Sequence, residues 1–409
     1  MGADTVYVGY VGAGAITFGA PNVLWNHSER IEAILRTRLA VPVIVDPNEA
    51  RFKEIMEQKG NGDYADSYKE TKWFSSPQEA AMGLDNETKD KIDFWILAAP
   101  PHFRGTTIEG RDLELEMIKL FGNKANYFVE KPIATTRSDE PHKVAPQLAE
   151  NKAVVGIGYM MRYLKVVQKV MSIIKENNLR VMMVTGRYAC AYKECHKTPW
   201  WMKSQQGGPI IEQATHFCDL MRYIGGDVDM DSVQATTLEH TEPAGEIGVI
   251  NVDEQAIPPE DRIPRATAAF WKFDSGALGS LTHIVGLHGI RYSNEISVYA
   301  DGYQFRINDV YTTPVLHVRT PADDSKEQVF SYPEDDMFHN EFYAFLSSAI
   351  KKAGKPPLPT EDLLSTEFLS DFADASKTFE LTWRIRDISD AHADKLLAQK
   401  AASSKKASA

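Results

Sequence analysis

Three groups of residues in this chain have types and spacings that could do chemistry. The first is the lysine of "VEKPIA" (Val129 to Ala134), which closes a run of strand-forming residues. An amine held beside a second positive charge is pushed toward its neutral form, and can then give or take a proton. The second is "GGPIIEQATHFCDL", where Glu212 and His216 are four residues apart and His216 and Asp219 three. On a helix that spacing brings all three to one face. A carboxylate on one ring nitrogen orients the imidazole and leaves the other nitrogen for a substrate. The third is the turn "GYVGAGAITFG" (Gly9 to Gly19). Gly12 would permit a tight strand-to-helix turn, and Gly14 would let the backbone approach a pyrophosphate at the helix start. Where a third glycine would ease helix–strand packing stands Thr17, a small residue.

Each group also has a bland reading: an ordinary βα turn, a surface Glu-Lys pair, a helix salt bridge. The surrounding elements decide between them. Residues 1–157 alternate strand-like and helix-like segments: "VYVGYV", "AVPVIVD", "IDFWILAAPP", "NYFVEKP" and "AVVGIGY" are apolar runs separated by helical spacing. Such alternation predicts a parallel sheet covered on both faces. Ligands of such sheets bind beyond the carboxyl ends of the strands, which places Lys131, after the fifth strand, over a cofactor cleft. Pro132 behind it is a candidate for a cis bond.

An acid must then meet the adenosine ribose. The usual spacing points to Glu32, but "SERIEAILRTRL" reads as exposed helix. Asp46 closes the strand "VPVIVD" and is preferred. No Arg or Lys adjoins it to cradle a 2′-phosphate, although Arg51 is near, so NAD is favoured over NADP.

From residue 158 the character changes. A helix, a strand "RVMMVTGRYACAY" and the helical "GGPIIEQATHFCDL" precede a long polar loop. Antiparallel strands follow, in hairpins around Asp274–Gly276 and Asp301-Gly302. This predicts an α+β domain over 158–395, ahead of a small, polar, disordered tail at 396–409. "TPWWMKSQQGG" brings Trp200, Trp201 and Lys203 toward the site helix, and Tyr188 and Tyr192 lie on the strand before it. Aromatic faces could stack on a sugar ring. His283 and His288 lie on later strands, on a face that the pattern leaves open.

At 409 residues with 43% apolar content, two domains with ample core are expected. A net charge of −12 argues against nucleic acid or an anionic membrane as the main partner. Three cysteines suit a reducing compartment, and "CAYKECH" lacks the ligand spacing of a zinc site, so no metal is expected. The first residues show no signal-peptide pattern and no apolar run approaches about 18 residues, so a cytoplasmic protein is expected. An open sheet must cover its outer face, which suggests a homodimer or homotetramer.

The motifs "VGAGAIT", "AAPPHF", "EKPIA", "GYMMRY", "GGPIIEQATHFCDL", "FHNEFYAFLSSAIKKAG" and "TEDLL", in that order, span most of the chain. Together they resemble the glucose-fructose oxidoreductase / inositol dehydrogenase / rhizopine-catabolism (Gfo/Idh/MocA) family. That resemblance implies an N-terminal Rossmann domain and a C-terminal α+β domain with a large open, mainly antiparallel sheet. It implies an NAD- or NADP-dependent oxidoreductase acting on a hydroxyl-bearing carbon of a sugar, polyol or related carbohydrate. Lys131 matches the family's catalytic lysine and His216 its histidine, with Glu212 where the family commonly has Asp. Gly12, Ala13, Gly14, Ala15, Ile16, Asp46, Pro100, His102, Glu130 and Lys131 would contact the cofactor. Arg162, Tyr188, Tyr192, Trp200, Trp201 and Lys203 would face the substrate, with a structural salt bridge the equal alternative for Arg162. Arg104 stands where many members have His. Two other readings stay open: an NAD-dependent glycosidase acting by transient oxidation and elimination, and a non-enzymatic NAD-binding sugar sensor.

Overall fold

The computed structural model describes residues 4–20, 25–136, 139–362 and 365–407. They fall into two compact units, Met1–Lys165 with Asp336–Ser376, and Val166–Asp335 with Lys377–Ala409.

In the first unit six parallel strands run β1 (Val6–Val11), β2 (Leu39–Val45), β3 (Lys72–Phe74), β4 (Ile92–Leu97), β5 (Asn126–Val129) and β6 (Val154–Ile157). Their order across the sheet is β3-β2-β1-β4-β5-β6, so β1 and β4 flank the point where the winding reverses. The continuous apolar runs do what such runs do in parallel sheets: Val6, Val8 and Tyr10 of β1 and Phe94, Trp95 and Ile96 of β4 are fully buried. The helices needed below are α1 (Ala15–Phe18), α2 (His27–Leu35), α3 (Glu49–Gly60) and α4 (Leu113–Phe121).

The division of the chain is not the linear one expected at residue 157. A helix from far downstream, Met337–Lys352, belongs to the first unit. Phe338, Phe342, Phe345, Leu346, Ala349 and Ile350 are all buried on it. Phe345 lies so close to β6 that a Cβ on Gly156 would stand 1.6 Å from its ring, which explains a glycine inside that strand. The sheet therefore draws part of its cover from a segment that sequence order assigns elsewhere.

The second unit has eight strands: β7 (Val181–Ala191), β8 (Val228–Leu238), β9 (Ala266–Phe273), β10 (Leu278–Leu287), β11 (Ser293–Ala300), β12 (Tyr303–Asn308), β13 (Val315–Thr320) and β14 (Asp323–Ser331). They are ordered β14-β13-β12-β11-β7-β10-β9-β8. All pairings are antiparallel except β7 with β10, which is parallel. Both expected hairpins are present, β9–β10 and β11–β12, the second turning through Asp301 and Gly302 at positive φ. The polar strands β8 and β14 had no apolar alternation to announce them.

Between β7 and β8 lie α5 (Pro209–Glu212) and α6 (Thr215–Gly225). Here α6 packs on β7: a Cβ on Gly186 would meet Met221 Sδ at 2.9 Å and Phe217 at 3.1 Å. With Met337–Lys352 named α7, the last helix is α8 (Phe372–Ala407). It runs through most of the tail expected to be disordered from 396, consistent with the alanines there, the best helix formers. Leu363 and Leu364 of "TEDLL" and the last two residues lie outside the described residues. Among the described residues no helix is long and apolar enough to cross a membrane.

Candidate functional site

In the first unit the glycine turn sits on the reversal point of the sheet. Gly12 has φ 97° and donates to Val45 O at 2.8 Å. A Cβ there would lie 2.7 Å from the Ala98 carbonyl carbon, so the turn rests against the end of β4 and only glycine fits. Nothing stands within 4 Å of the corresponding point on Gly14, and that side of the turn is open. Ala15 and Ile16 begin α1, a single turn that ends at Gly19; Thr17 is fully buried beneath it.

Asp46 follows β2 and is clamped to this turn. Its Oδ2 accepts the Ala13 N–H at 2.7 Å and its Oδ1 the Asn48 N–H at 2.8 Å. Arg51 on α3 completes the frame: Nε donates to Ala13 O (3.1 Å), one terminal nitrogen to Gly19 O (2.8 Å), and the other pairs with Glu54 (2.9 Å). Each guanidinium nitrogen is thus already engaged. Glu32 is not exposed. It is buried, 2.7 Å from Lys59 Nζ and 2.5 Å from the Tyr68 hydroxyl, which corrects the exposed-helix reading.

Beyond β4, Pro100 leads into a short turn, Pro101–Phe103, on which the exposed His102 ring lies 4.1 Å from that of Phe103. Arg104 points inward and is 2% exposed. Its Nε donates to Ala99 O at 2.8 Å and its Nη1 to Glu130 O, so one side chain ties the β4 loop to the β5 loop. Burial lowers its pKa, against the fields of Glu114 and Glu130. Glu114 on α4 accepts the Gly105 N–H at 2.8 Å, and burial raises its pKa in spite of Arg104. The Lys131-Pro132 bond is cis. Lys131 N–H donates to its neighbour's Oε2 at 3.2 Å. Burial pushes the Glu130 carboxyl up, but the hydrogen bond and field of His27, with Lys131 and Arg104, outweigh it and hold the group below its usual range. Arg162 is buried, donates to Leu369 O and pairs with Asp374 at 2.5 Å.

In the second unit the expected single helix through Glu212 and His216 is broken. Glu212 ends α5, Gln213 and Ala214 intervene, and His216 lies in the first turn of α6. The two residues therefore belong to consecutive helices rather than to one. His216 is 5% exposed, with its ring edge toward Tyr311 at 6.2 Å. Asp219, also buried on α6, accepts from Thr378 at 3.1 Å. Tyr188 on β7 is the centre of an aromatic cluster: His283 stacks on it at 5.0 Å, and Phe217, Tyr292 and Tyr311 surround it within 5.8 Å. Burial raises the phenol pKa values of Tyr188, Tyr292 and Tyr311, so at neutral pH all three carry their protons. Glu212 adds to each shift, which puts its charge beside this cluster.

The other expected aromatics are gathered elsewhere in that unit. Trp201 is fully buried, donates to Cys195 O at 2.9 Å and packs near Tyr192, Trp200 and Arg265. Lys203 is paired with Asp390 at 3.2 Å. Tyr292, Tyr311 and Gln213 were not singled out in the sequence; Tyr311 lies between β12 and β13, and only long-range pairing reveals its neighbours. Among the described residues no three His, Cys, Asp or Glu side chains gather as a metal site, and burial holds the Cys190 thiol up at about 12.

His283 hydrogen-bonds Gln213 at 2.8 Å, and burial pushes its pKa from 6.5 down to about 3. The folded ring stays neutral where the unfolded ring binds a proton. Its stabilising contribution is present above pH 6.5 and is lost as pH falls toward 3. His283→Phe should therefore flatten the decline of the urea midpoint over that range, as followed by fluorescence. An unchanged acid limb would show that His283 does not drive it.

Residues 6–161 match the family model for an oxidoreductase family with an NAD-binding Rossmann fold, and residues 162–303 match one for an oxidoreductase C-terminal domain. Uncharacterized protein UNK4.17 of Schizosaccharomyces pombe is 43% identical over 376 residues, which is 92% of this chain and 89% of that one. A second uncharacterized protein of the same yeast is 39% identical over 375 residues, 92% of this chain and 94% of its own. Among solved structures, a levoglucosan dehydrogenase in complex with NADH and L-sorbose superposes with TM-score 0.67 at 16% identity, covering 95% of this chain and 97% of that one. UDP-N-acetylglucosamine 3-dehydrogenase from Acidithiobacillus ferrooxidans gives 0.64 at 13% identity, covering 95% and 99%. At such identities these two matches speak for the fold.

Proposed function

The chain belongs to the oxidoreductase family with an NAD-binding Rossmann fold, and from that premise we propose that it oxidises or reduces a hydroxyl-bearing carbon of a sugar, polyol or related small carbohydrate. One observation carries the reading. The glycine turn touches the end of β4, Arg104 ties that end to the Glu130 carbonyl, and Lys131 comes next in the chain. A turn suited to a dinucleotide and a lysine suited to proton transfer are joined by two contacts.

The residues of the turn fit the dinucleotide. Gly12 keeps the backbone tight, the open side of Gly14 leaves room for the pyrophosphate, and Asp46 is already oriented by two N–H donors. A bound nicotinamide would supply the hydride acceptor, or in reverse the donor. In the oxidising direction Lys131 takes the hydroxyl proton as the C–H bond breaks with its electron pair, leaving a carbonyl. In the second unit, His216 is assigned a proton-handling role on the family resemblance, and the protonated phenols around Tyr188 are candidate hydrogen-bond donors to substrate hydroxyls. Asp46 favours NAD over NADP: a carboxylate repels a 2′-phosphate, and the Arg51 nitrogens that could attract one are engaged.

The test is NADH absorbance with NAD and a panel of sugars and polyols. Reduction of NAD by at least one of them supports the reading; silence across the panel with NAD bound points to a sensor. Aglycone release from aryl glycosides without net NADH points to the glycosidase. In the same assay Asp46→Ala should weaken NAD by roughly tenfold, equivalent to about 1.4 kcal/mol, and narrow its advantage over NADP. An unchanged coenzyme preference would remove Asp46 from that role.

A further inference from the structure

The segment from Gly12 to Gly19 has little to hold its own shape. Gly12 and Gly19 both lie at positive φ, and α1 between them is one turn with no side-chain cap at Gly14. That turn is closed by the N–H groups of Thr17 and Phe18 on Gly14 O and of Gly19 on Ala15 O. Fixing a first helical turn is unfavourable on its own, and glycines make it more so. The shape must be imposed from outside.

Two side chains impose it, and one circuit of hydrogen bonds joins them. Asp46 accepts the Ala13 N–H, while Arg51 donates from Nε to Ala13 O at 3.1 Å and from Nη2 to Gly19 O at 2.8 Å. Both main-chain polar groups of Ala13 are thus held, and so is the carbonyl at the far end of α1. Arg51 is itself fixed at its base. Asn48 caps α3 by accepting the Arg51 N–H at 3.2 Å, and Asp46 Oδ1 accepts the Asn48 N–H. At its tip, Nη1 pairs with Glu54 at 2.9 Å. The side chain is only 20% exposed. A cleft of about 670 Å³ opens between the end of α1 and α3, lined by Phe18, Gly19, Asn26, Arg51, Gln58 and Asn61. The arginine is a strut across that gap.

We propose that Arg51 is a positioning residue for the dinucleotide: by spanning Ala13 O and Gly19 O it holds both ends of the glycine turn in the form that takes the pyrophosphate, without touching the cofactor. A planar guanidinium suits this task because its nitrogens diverge in a fixed fork, whereas an ammonium gathers its donors at one point. The inference rests on the oxidoreductase reading for its ligand. Without the fork the turn samples other shapes, and the apparent Kd rises by the inverse of the fraction that stays competent. Bound NAD orders the turn again, so turnover at saturating NAD is spared.

Hydrogen exchange read by mass spectrometry on the full-length protein follows the peptide over residues 9–19, and a fluorescence titration gives the NAD Kd. Arg51→Gln should speed exchange in that peptide and raise the Kd about tenfold, the result of a turn competent in roughly a tenth of the molecules. Saturating NAD should bring the exchange back toward that of the unmodified protein, with kcat there within about twofold. Peptides from β4 and β5 should exchange as before, which a general loss of stability would not allow. Arg51→Lys keeps the charge but not the fork; it should resemble Arg51→Gln and serves if that variant does not fold. Unchanged exchange and Kd in a folded Arg51→Gln overturn the proposal. So does an unchanged Kd in Arg51→Lys, which would show that positive charge alone draws the pyrophosphate. Failure of the unmodified protein to bind NAD would count instead against the oxidoreductase reading, and exchange of the turn would still decide the role of Arg51.

Discussion

Lys131→Ala should lower kcat by at least about a hundredfold, the lower end of what one positioned proton-transfer group contributes. NAD affinity should stay within roughly tenfold of wild type. The separation follows from what the substitution leaves in place. The loop is held through main-chain atoms: Glu130 O accepts from Arg104, and the Lys131 N–H meets the Glu130 carboxylate. Alanine keeps both. It also keeps the glycine turn and Asp46, which carry the proposed dinucleotide contacts. What disappears is an amine able to change its protonation state. Lys131→Arg should not restore activity, since a guanidinium stays protonated throughout the working range. Stopped-flow turnover and equilibrium NAD binding make the comparison; near-native turnover in Lys131→Ala would end the assignment of that lysine.

The second large effect is on stability. Arg104→Ala should cost about 2–4 kcal/mol of unfolding free energy, because two carbonyls lose a buried charged donor and each such hydrogen bond is worth about 1.5–3 kcal/mol. Arg104 and Glu114 are 2% and 1% exposed, so neither is screened by solvent. Without the guanidinium, Ala99 O and Glu130 O lose their donor and the buried Glu114 carboxyl loses the favourable field of Arg104. The deficit should shrink in acid. A carboxyl whose pKa is raised by burial binds its proton at higher pH when folded than when unfolded, so lowering the pH favours the folded variant. Removing the charge as well, in Arg104→Met with Glu114→Gln, should recover part of the loss. Urea denaturation at two pH values checks both statements. A loss below about 1 kcal/mol would mean that the two carbonyls find other partners or water.

The parallel sheet was legible because its strands are buried on both faces and read as unbroken apolar runs. Gly12 and Asp46 were legible for a related reason: they stand at strand ends, where a turn and a charge interrupt apolar sequence. Other features depend on contacts that local pattern does not encode. Glu32 looked exposed because the pattern could not show Lys59 and Tyr68 closing over it. The spacing from Glu212 to His216 suggested one helix, but the chain breaks at Gln213 and Ala214. Trp201 and Lys203 had the right chemistry for a carbohydrate pocket and are engaged with Cys195 O and Asp390. Tyr292 and Tyr311, which join Tyr188 in the aromatic cluster, lie in loops about a hundred residues downstream of it. His27 is separated from Glu130 by 103 residues, and neither motif announces the other.

The docking of α7 has a consequence for how the protein is made. The six strands of the first sheet have all been synthesised by Ile157, yet the helix that brings Phe342 and Phe345 to them begins only at Met337. At about 5–20 residues per second, a nascent chain waits on the order of ten seconds or more between those points. During that interval an apolar sheet face lies uncovered while the whole second sheet is translated. A fragment cut after Lys165 would be left permanently in that condition.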